Sequence, residues 1–204
     1  MSRELRQLVP VEIAVVIAIA VAPWPAMVPI ALPLLVAATA SRWARGRAWA
    51  EVTAKGTWTQ VGVGVLAWLI ALAVAIVVIR GGDGLSDLSG RSLEITVRGN
   101  STLAVAVIVH VAVTAIAAEL ALRGWIVERV LELSPGSPVL PVLVGSLAEA
   151  IVTPGAIGTR LAAAVFGAGL GWLYVASGRT AVASICARAS FQCGAVAIEA
   201  LRLL

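Results

Sequence analysis

From Ser101 to Ala118 the chain carries no residue charged at pH 7. A run of roughly 18–20 apolar residues is what one helix needs to cross the hydrocarbon core of a bilayer. Comparable runs occupy residues 57–80, 138–153, 157–176 and 179–203. The whole chain is 60% hydrophobic and 13% charged, with a mean hydropathy of +1.00. A soluble domain is about half apolar and about a quarter charged. These runs therefore predict an all-α, polytopic transmembrane helical bundle of about seven segments, built as a single membrane domain over residues 1–204.

The first two segments are short. Residues 9–22 ("VPVEIAVVIAIAVA") and 26–41 are divided by Pro23 and Pro25 around Trp24. Each proline removes a helix donor and tryptophan favours the membrane interface, so residues 9–41 read as a hairpin of short helices rather than one kinked span. Residues 42–56 ("RWARGRAWAEVTAKG") form a basic loop with Arg42, Arg45, Arg47 and Lys55, and Trp43, Trp49 and Trp58 are placed at headgroup depth. The excess of arginine and lysine assigns this loop and the N-terminus to the cytoplasmic side. After the span at 57–80, alternation puts the Gly-rich loop 81–100 outside, and residues 101–204 form the remaining core. No removable signal peptide is expected, because no small-residue cleavage site leads into a polar domain. A bacterial inner membrane is the expected location.

The charge balance excludes little else. Fifteen Lys+Arg against 11 Asp+Glu give a formal +4, which in a membrane protein reports loop topology rather than nucleic-acid binding. Cys186 and Cys193 are seven residues apart, roughly 10 Å along a helix. That exceeds the ~7 Å limit for a disulfide, so both read as small buried residues. The loop "GGDGLSD" lacks the acidic spacing and terminal Glu of a calcium loop. Gly167 and Gly171, four apart in "FGAGLGW", allow close helix packing.

Ionisable groups at membrane depth are costly unless paired or hydrated, so each is a candidate for function. Here they are Glu12, His110, Glu119, Arg123, Glu149, Arg188 and Glu199, with Gln192 as a polar companion. Glu119 and Arg123 stand one turn apart on one face, where they can neutralise each other or clamp another helix. His110 is nine residues before Glu119, about 180° around the helix, and is expected to be satisfied by a neighbour rather than to bind metal. Arg188, Gln192 and Glu199 fall on one stripe, which must face the bundle interior. Glu149 needs a partner, with Arg188 the first choice and Glu119 the second.

"AELALRGWIVERV" and "FGAGLGWLYVASGRTAVASICARASFQ", in this order, resemble the CPBP (CAAX protease and bacteriocin-processing, or Abi) family of intramembrane metalloproteases. The most specific part of the likeness is "GLGWLYVASGRTAVAS". The resemblance implies an E-E-x-x-x-R-G motif, then F-x-x-x-H, then H-x-x-x-N/D, whose glutamates and histidines hold or activate a zinc-bound water. Each motif departs from that pattern here. Ala118 stands at the first glutamate, while Glu119 and Arg123 remain. In "GSLAEAIVTPG" the histidine position falls on Ile151 or Val152. In the third motif Arg188 stands for the histidine and Gln192 for the Asn.

A catalytic zinc takes about three protein ligands from His, Cys or carboxylate, and Arg188 would repel the dication. No metal and no cofactor is therefore expected. Arg188 is expected to fill the vacated metal position, paired with Glu119, Glu149 or both. The reading that follows is a catalytically inactive scaffold or accessory subunit whose partners are other integral membrane proteins, lipids or bound pigments. An active CPBP-type protease with atypical residues is the alternative, and a small transporter component using the Glu149–Arg188 region is a third. No serine shares a helical face with His110 and an acid in the manner of a serine hydrolase.

Overall fold

The computed structural model describes residues 3–25, 28–53, 57–81, 101–134 and 136–201. Every regular element among them is helical: α1 (Arg3–Val21), α2 (Ala31–Ala44), α3 (Ala50–Thr53), α4 (Thr57–Gly81), α5 (Ser101–Ala121), a π-helical segment (Leu122–Val127), α6 (Glu128–Leu133), α7 (Val139–Val152), α8 (Ile157–Ala176) and α9 (Ala181–Leu201). The protein is an all-helical integral membrane protein. Thr102–Leu133 and Ile157–Ala176 are long and apolar enough to cross a bilayer, and Trp58–Ile70, Val139–Val152 and Ala181–Ala197 are shorter apolar helices. The loop expected at 81–100, with its "GGDGLSD" sequence, lies outside the described residues beyond Gly81.

The continuous helix from Ser101 to Leu133 is the axis of the bundle. It packs against α2, α7 and α9, while α4 lies along α9 and α8 along α7. α1 and α2 form a hairpin, since Glu12 in the middle of α1 is reached by the Ser41 hydroxyl near the end of α2. The turn between them begins where Pro23 and Pro25 interrupt the helical hydrogen bonding, and Trp24 Nε1 donates back to the Ile19 carbonyl at 2.7 Å.

Local sequence explains where the core helices start and stop. Pro141 sits in the first turn of α7, where its missing N–H would have had no intrahelical acceptor. α7 ends at Thr153–Pro154–Gly155, with Gly155 at φ +124°. α8 closes on a Schellman turn: Gly178 N–H donates to the Val175 carbonyl (3.2 Å) and Arg179 N–H to the Tyr174 carbonyl (3.0 Å). Gly178 takes φ +79°, and Arg179 follows at +65°.

The small residues of α8 face α7. A Cβ on Gly167 would lie 2.9 Å from Glu149 Cβ and 3.3 Å from Ser146 Cα, whereas one on Gly171 would meet Val142 at an ordinary 3.6 Å. Gly167 thus sets the α7–α8 approach that delivers Glu149 to the core.

The basic stretch from Arg42, which begins in the last turn of α2, differs from a solvated loop. Trp43 is 82% exposed. Arg42 is instead buried. Its guanidinium stacks on Trp49, 4.8 Å from the ring centroid. It donates to the Gly124 carbonyl at 3.0 Å and to the Ala48 carbonyl at 2.5 Å. Gly124 permits this docking, because a Cβ there would come within 3.0 Å of Trp49 Cζ3. Trp49 accordingly packs on the π-helical segment rather than standing free at headgroup depth.

Candidate functional site

Four ionisable side chains from three helices meet in the interior. α5 contributes Glu119 and the π-helical segment contributes Arg123, both with fully buried side chains. α7 contributes Glu149 and α9 contributes Arg188, whose side chains are 6% and 7% exposed. Arg188 donates through Nε to Glu119 Oε1 at 2.6 Å and through Nη2 to Glu149 Oε2. Arg123 Nη1 donates to Glu149 Oε2 at 2.7 Å and lies 3.5 Å from Glu119 Oε1. Its Nη2 donates to the Gly167 carbonyl at 2.8 Å. Arg123 therefore does both things its spacing allows: it faces Glu119 on its own helix and clamps α7 and α8.

Two guanidinium groups face two carboxylates, so the cluster is neutral at the point where the bilayer would penalise an unpaired charge most. Phe166 and Phe191 wall it, with ring centroids 5.3 Å apart, and the Arg188 guanidinium lies 5.6 Å from the Phe166 ring centroid. Two buried atoms, Glu119 Oε2 and Arg123 Nε, have no hydrogen-bond partner among the described residues.

The donor set does not suit zinc. Its two carboxylates are already held by guanidinium groups, and a dication between them would sit beside two positive charges. No third ligand is near. His110 is exposed on α5, and among the described residues it has no hydrogen-bond partner, where its sequence context suggests a satisfied histidine. Cys186 packs against Gly64 of α4, and Cys193 Sγ lies 3.7 Å from the Ile108 carbonyl. Among the described residues no group of three His, Cys, Asp or Glu side chains could hold a metal ion.

Other candidates fall outside the cluster. Ala118 is half-buried and Gln192 is half-buried without a hydrogen bond to the four charges. The Glu199 side chain lies outside the described residues. Ile151 is 43% exposed and Val152 packs against the apolar cluster of Leu34, Ala38, Ala121 and Trp125, so neither stands where a ligand from α7 would. The residue α7 aims inward is Glu149, two positions before Ile151 and one turn after the contact of Gly145 with Val127.

A second buried network gives the "GWLYVASGR" stretch its structural meaning. Tyr174 Oη donates to Glu128 Oε1 at 2.6 Å. Arg179 grips the same carboxylate with two hydrogen bonds, from Nε at 2.9 Å and Nη2 at 2.6 Å. Those bonds hold the guanidinium proton and raise the Arg179 pKa further. One signal for this site is legible in the sequence, Arg179 directly after the helix-ending Gly178.

These features define a polytopic helical membrane protein with a neutral ion-pair cluster at its centre. The family model for type II CAAX prenyl endopeptidase Rce1-like proteins matches residues 100–193. Over that segment, from the start of α5 into α9, the chain is similar to CAAX-protease-like proteins, consistent with the CPBP resemblance. No curated protein and no solved structure matches the chain at significant similarity.

Proposed function

We propose that this chain is a catalytically inactive CPBP-fold protein of the membrane, serving as a scaffold or accessory subunit. One observation carries the reading: the Arg188 guanidinium bridges Glu119 and Glu149. Both carboxylates that could serve a metal or a water are thereby engaged, and the third-motif position supplies a cation. A base that is ion-paired and sealed from water has no nucleophile to activate.

The contact surface of such a subunit is its lipid-facing helix exterior. Its partners are other integral membrane proteins, with lipids or pigments as further ligands, and the Arg42–Arg47 end faces the cytoplasm of a bacterial cell. The test is elemental analysis of the purified chain together with an assay on prenylated and unmodified peptides. Absence of stoichiometric zinc and of cleavage is the expected result. One zinc per chain, lost in Glu119→Ala, would overturn it. Gentle solubilisation followed by mass spectrometry should recover a stable membrane partner.

A further inference from the structure

Arg123 and Glu128 stand at i and i+5, yet both turn toward α8. Arg123 donates to the Gly167 carbonyl, and Glu128 accepts from Tyr174. Gly167 and Tyr174 lie two turns apart on one face of α8. An α-helix would place residues at i and i+5 about 140° from each other. The i to i+5 repeat of a π turn brings them onto one face, and the backbone makes that bond: the Glu128 N–H donates to the Arg123 carbonyl. The π turn of Leu122–Val127 is therefore what lets one face of α8 meet both the central cluster and the Glu128 site.

This turn leaves a carbonyl behind. The Glu128 N–H also reaches the Trp125 carbonyl, and so passes over the Gly124 carbonyl between them, its acceptor in an α-helix. A buried carbonyl passed over in this way needs an outside donor. Arg42 Nη1 supplies it at 3.0 Å.

The segment that follows Arg42 is tied down at its far end as well. Thr180, fully buried just before α9, donates through Oγ1 to the Val52 carbonyl at 3.2 Å. The preceding residue, Arg179, is the one that grips Glu128. Residues 42–53 thus strap together the π turn and the α8–α9 turn, whose contact through Glu128 depends on the π register.

We propose that the central helix is a two-register element, held in the π register by the docked 42–53 strap, with Arg42 as the positioning residue. When the strap lifts, the Gly124 carbonyl loses its outside donor. The helix then settles in the α register, where the Glu128 N–H takes that carbonyl itself. Glu128 swings away from Tyr174 and Arg179, and the α8–α9 turn is released. The proposal does not depend on whether the chain is catalytically inactive.

Amide exchange of the full chain in detergent micelles tests it, on the parent, Arg42→Gln, a deletion of Ile126, and the two combined. Removing one residue between Arg123 and Glu128 makes them i and i+4, so the deletion keeps both on one face in a plain α-helix. Arg42→Gln should speed exchange about tenfold or more at both 122–128 and 177–181, the size of one lost charged hydrogen bond. The deletion alone should fold and protect 177–181 as the parent does. Adding Arg42→Gln to it should change exchange at both places by less than about twofold, since no carbonyl is then passed over.

A tenfold effect of Arg42→Gln that persists in the deletion would overturn the proposal, because Arg42 would then act by packing alone. A deletion variant that does not fold would overturn it too, as would Arg42→Gln leaving 177–181 unchanged. Should Arg42→Gln itself not fold, Gly124→Ala decides. Its methyl would meet Trp49 at 3.0 Å and displace the strap while Arg42 remains, so exchange should rise at 122–128 and 177–181. Unchanged exchange in that variant would equally overturn the proposal.

Discussion

Arg188 on α9 donates through Nε to Glu119 on α5 at 2.6 Å, joining two helices whose paired residues are 69 positions apart. The same guanidinium reaches Glu149 on α7, so one side chain fixes the relative positions of three helices. A planar guanidinium presents two donors in a rigid fork, which an ammonium cannot do.

Arg188→Lys therefore keeps the charge and loses the bridge. One buried carboxylate is left short of a donor, at a cost of about 1–3 kcal/mol. Reversible unfolding in mixed micelles measures it; a lysine variant as stable as the parent would show that charge alone suffices.

Gly167 and Gly171 should behave differently although they share a motif. Gly167→Ala drives a methyl against Glu149 and the Ser146 backbone and should destabilise by about 1–3 kcal/mol. Gly171→Ala meets only an ordinary contact with Val142 and should be neutral, or stabilising by up to about 1 kcal/mol. Equal effects of the two in the same unfolding measurement would contradict the assigned α7–α8 contact.

Tyr174→Phe removes one of the hydrogen bonds to Glu128 while Arg179 keeps its grip. A loss of about 1–3 kcal/mol is expected. It should be accompanied by faster amide exchange in the 177–180 turn, which Arg179 anchors. Exchange unchanged there would separate Tyr174 from the turn.

The short helix α3 should be weakly acid-sensitive. Slight desolvation alone would raise the Glu51 pKa. The Ala48 N–H (3.1 Å) and the Arg47 guanidinium (3.2 Å) outweigh it and hold the carboxyl below its ordinary range. A carboxylate with a depressed folded pKa stabilises above its unfolded pKa, and that stabilisation is lost as pH falls through the folded value. The group is exposed, so the effect is small and screened by salt. Corrected for the intrinsic pH dependence of exchange, amide protection at residues 48–53 should fall as the Glu51 carboxylate is protonated, and should be independent of pH over that range in Glu51→Gln.

Much of this arrangement is legible in the sequence, and the limits have physical causes. The apolar runs announce the helices, and the spacings of Glu119 with Arg123 and of Arg188 with Gln192 show which face of each helix turns inward. Helical periodicity gives a face, however, and not the neighbour opposite. Ile151 and Val152 are the α7 positions that the family motif implies for a ligand, whereas Glu149, a lone carboxylate in an apolar run that needs a partner, is the residue that meets Arg188. The π-helical segment is equally hidden: its wider turn changes the phase between Glu119 and the residues after it, and "LRGWIV" carries no proline, while its one glycine, Gly124, does not by itself distinguish a π turn from an ordinary helical position. Arg42 reads as a solvated loop cation because its acceptor, the Gly124 carbonyl, lies 82 residues away. Gln192, one turn from Arg188, shares the stripe without entering the ion pairs.

The central claim is that Arg188 neutralises the buried carboxylates where a metal-centred site would otherwise stand. Unfolding of Arg188→Ala, with Glu119 and Glu149 intact, tests it most directly. Removing one partner of a buried ion pair leaves uncompensated charge, and a loss of about 3–5 kcal/mol is expected. Replacing Glu149 by Gln in the same variant should recover part of that loss. An Arg188→Ala protein as stable as the parent would contradict the account.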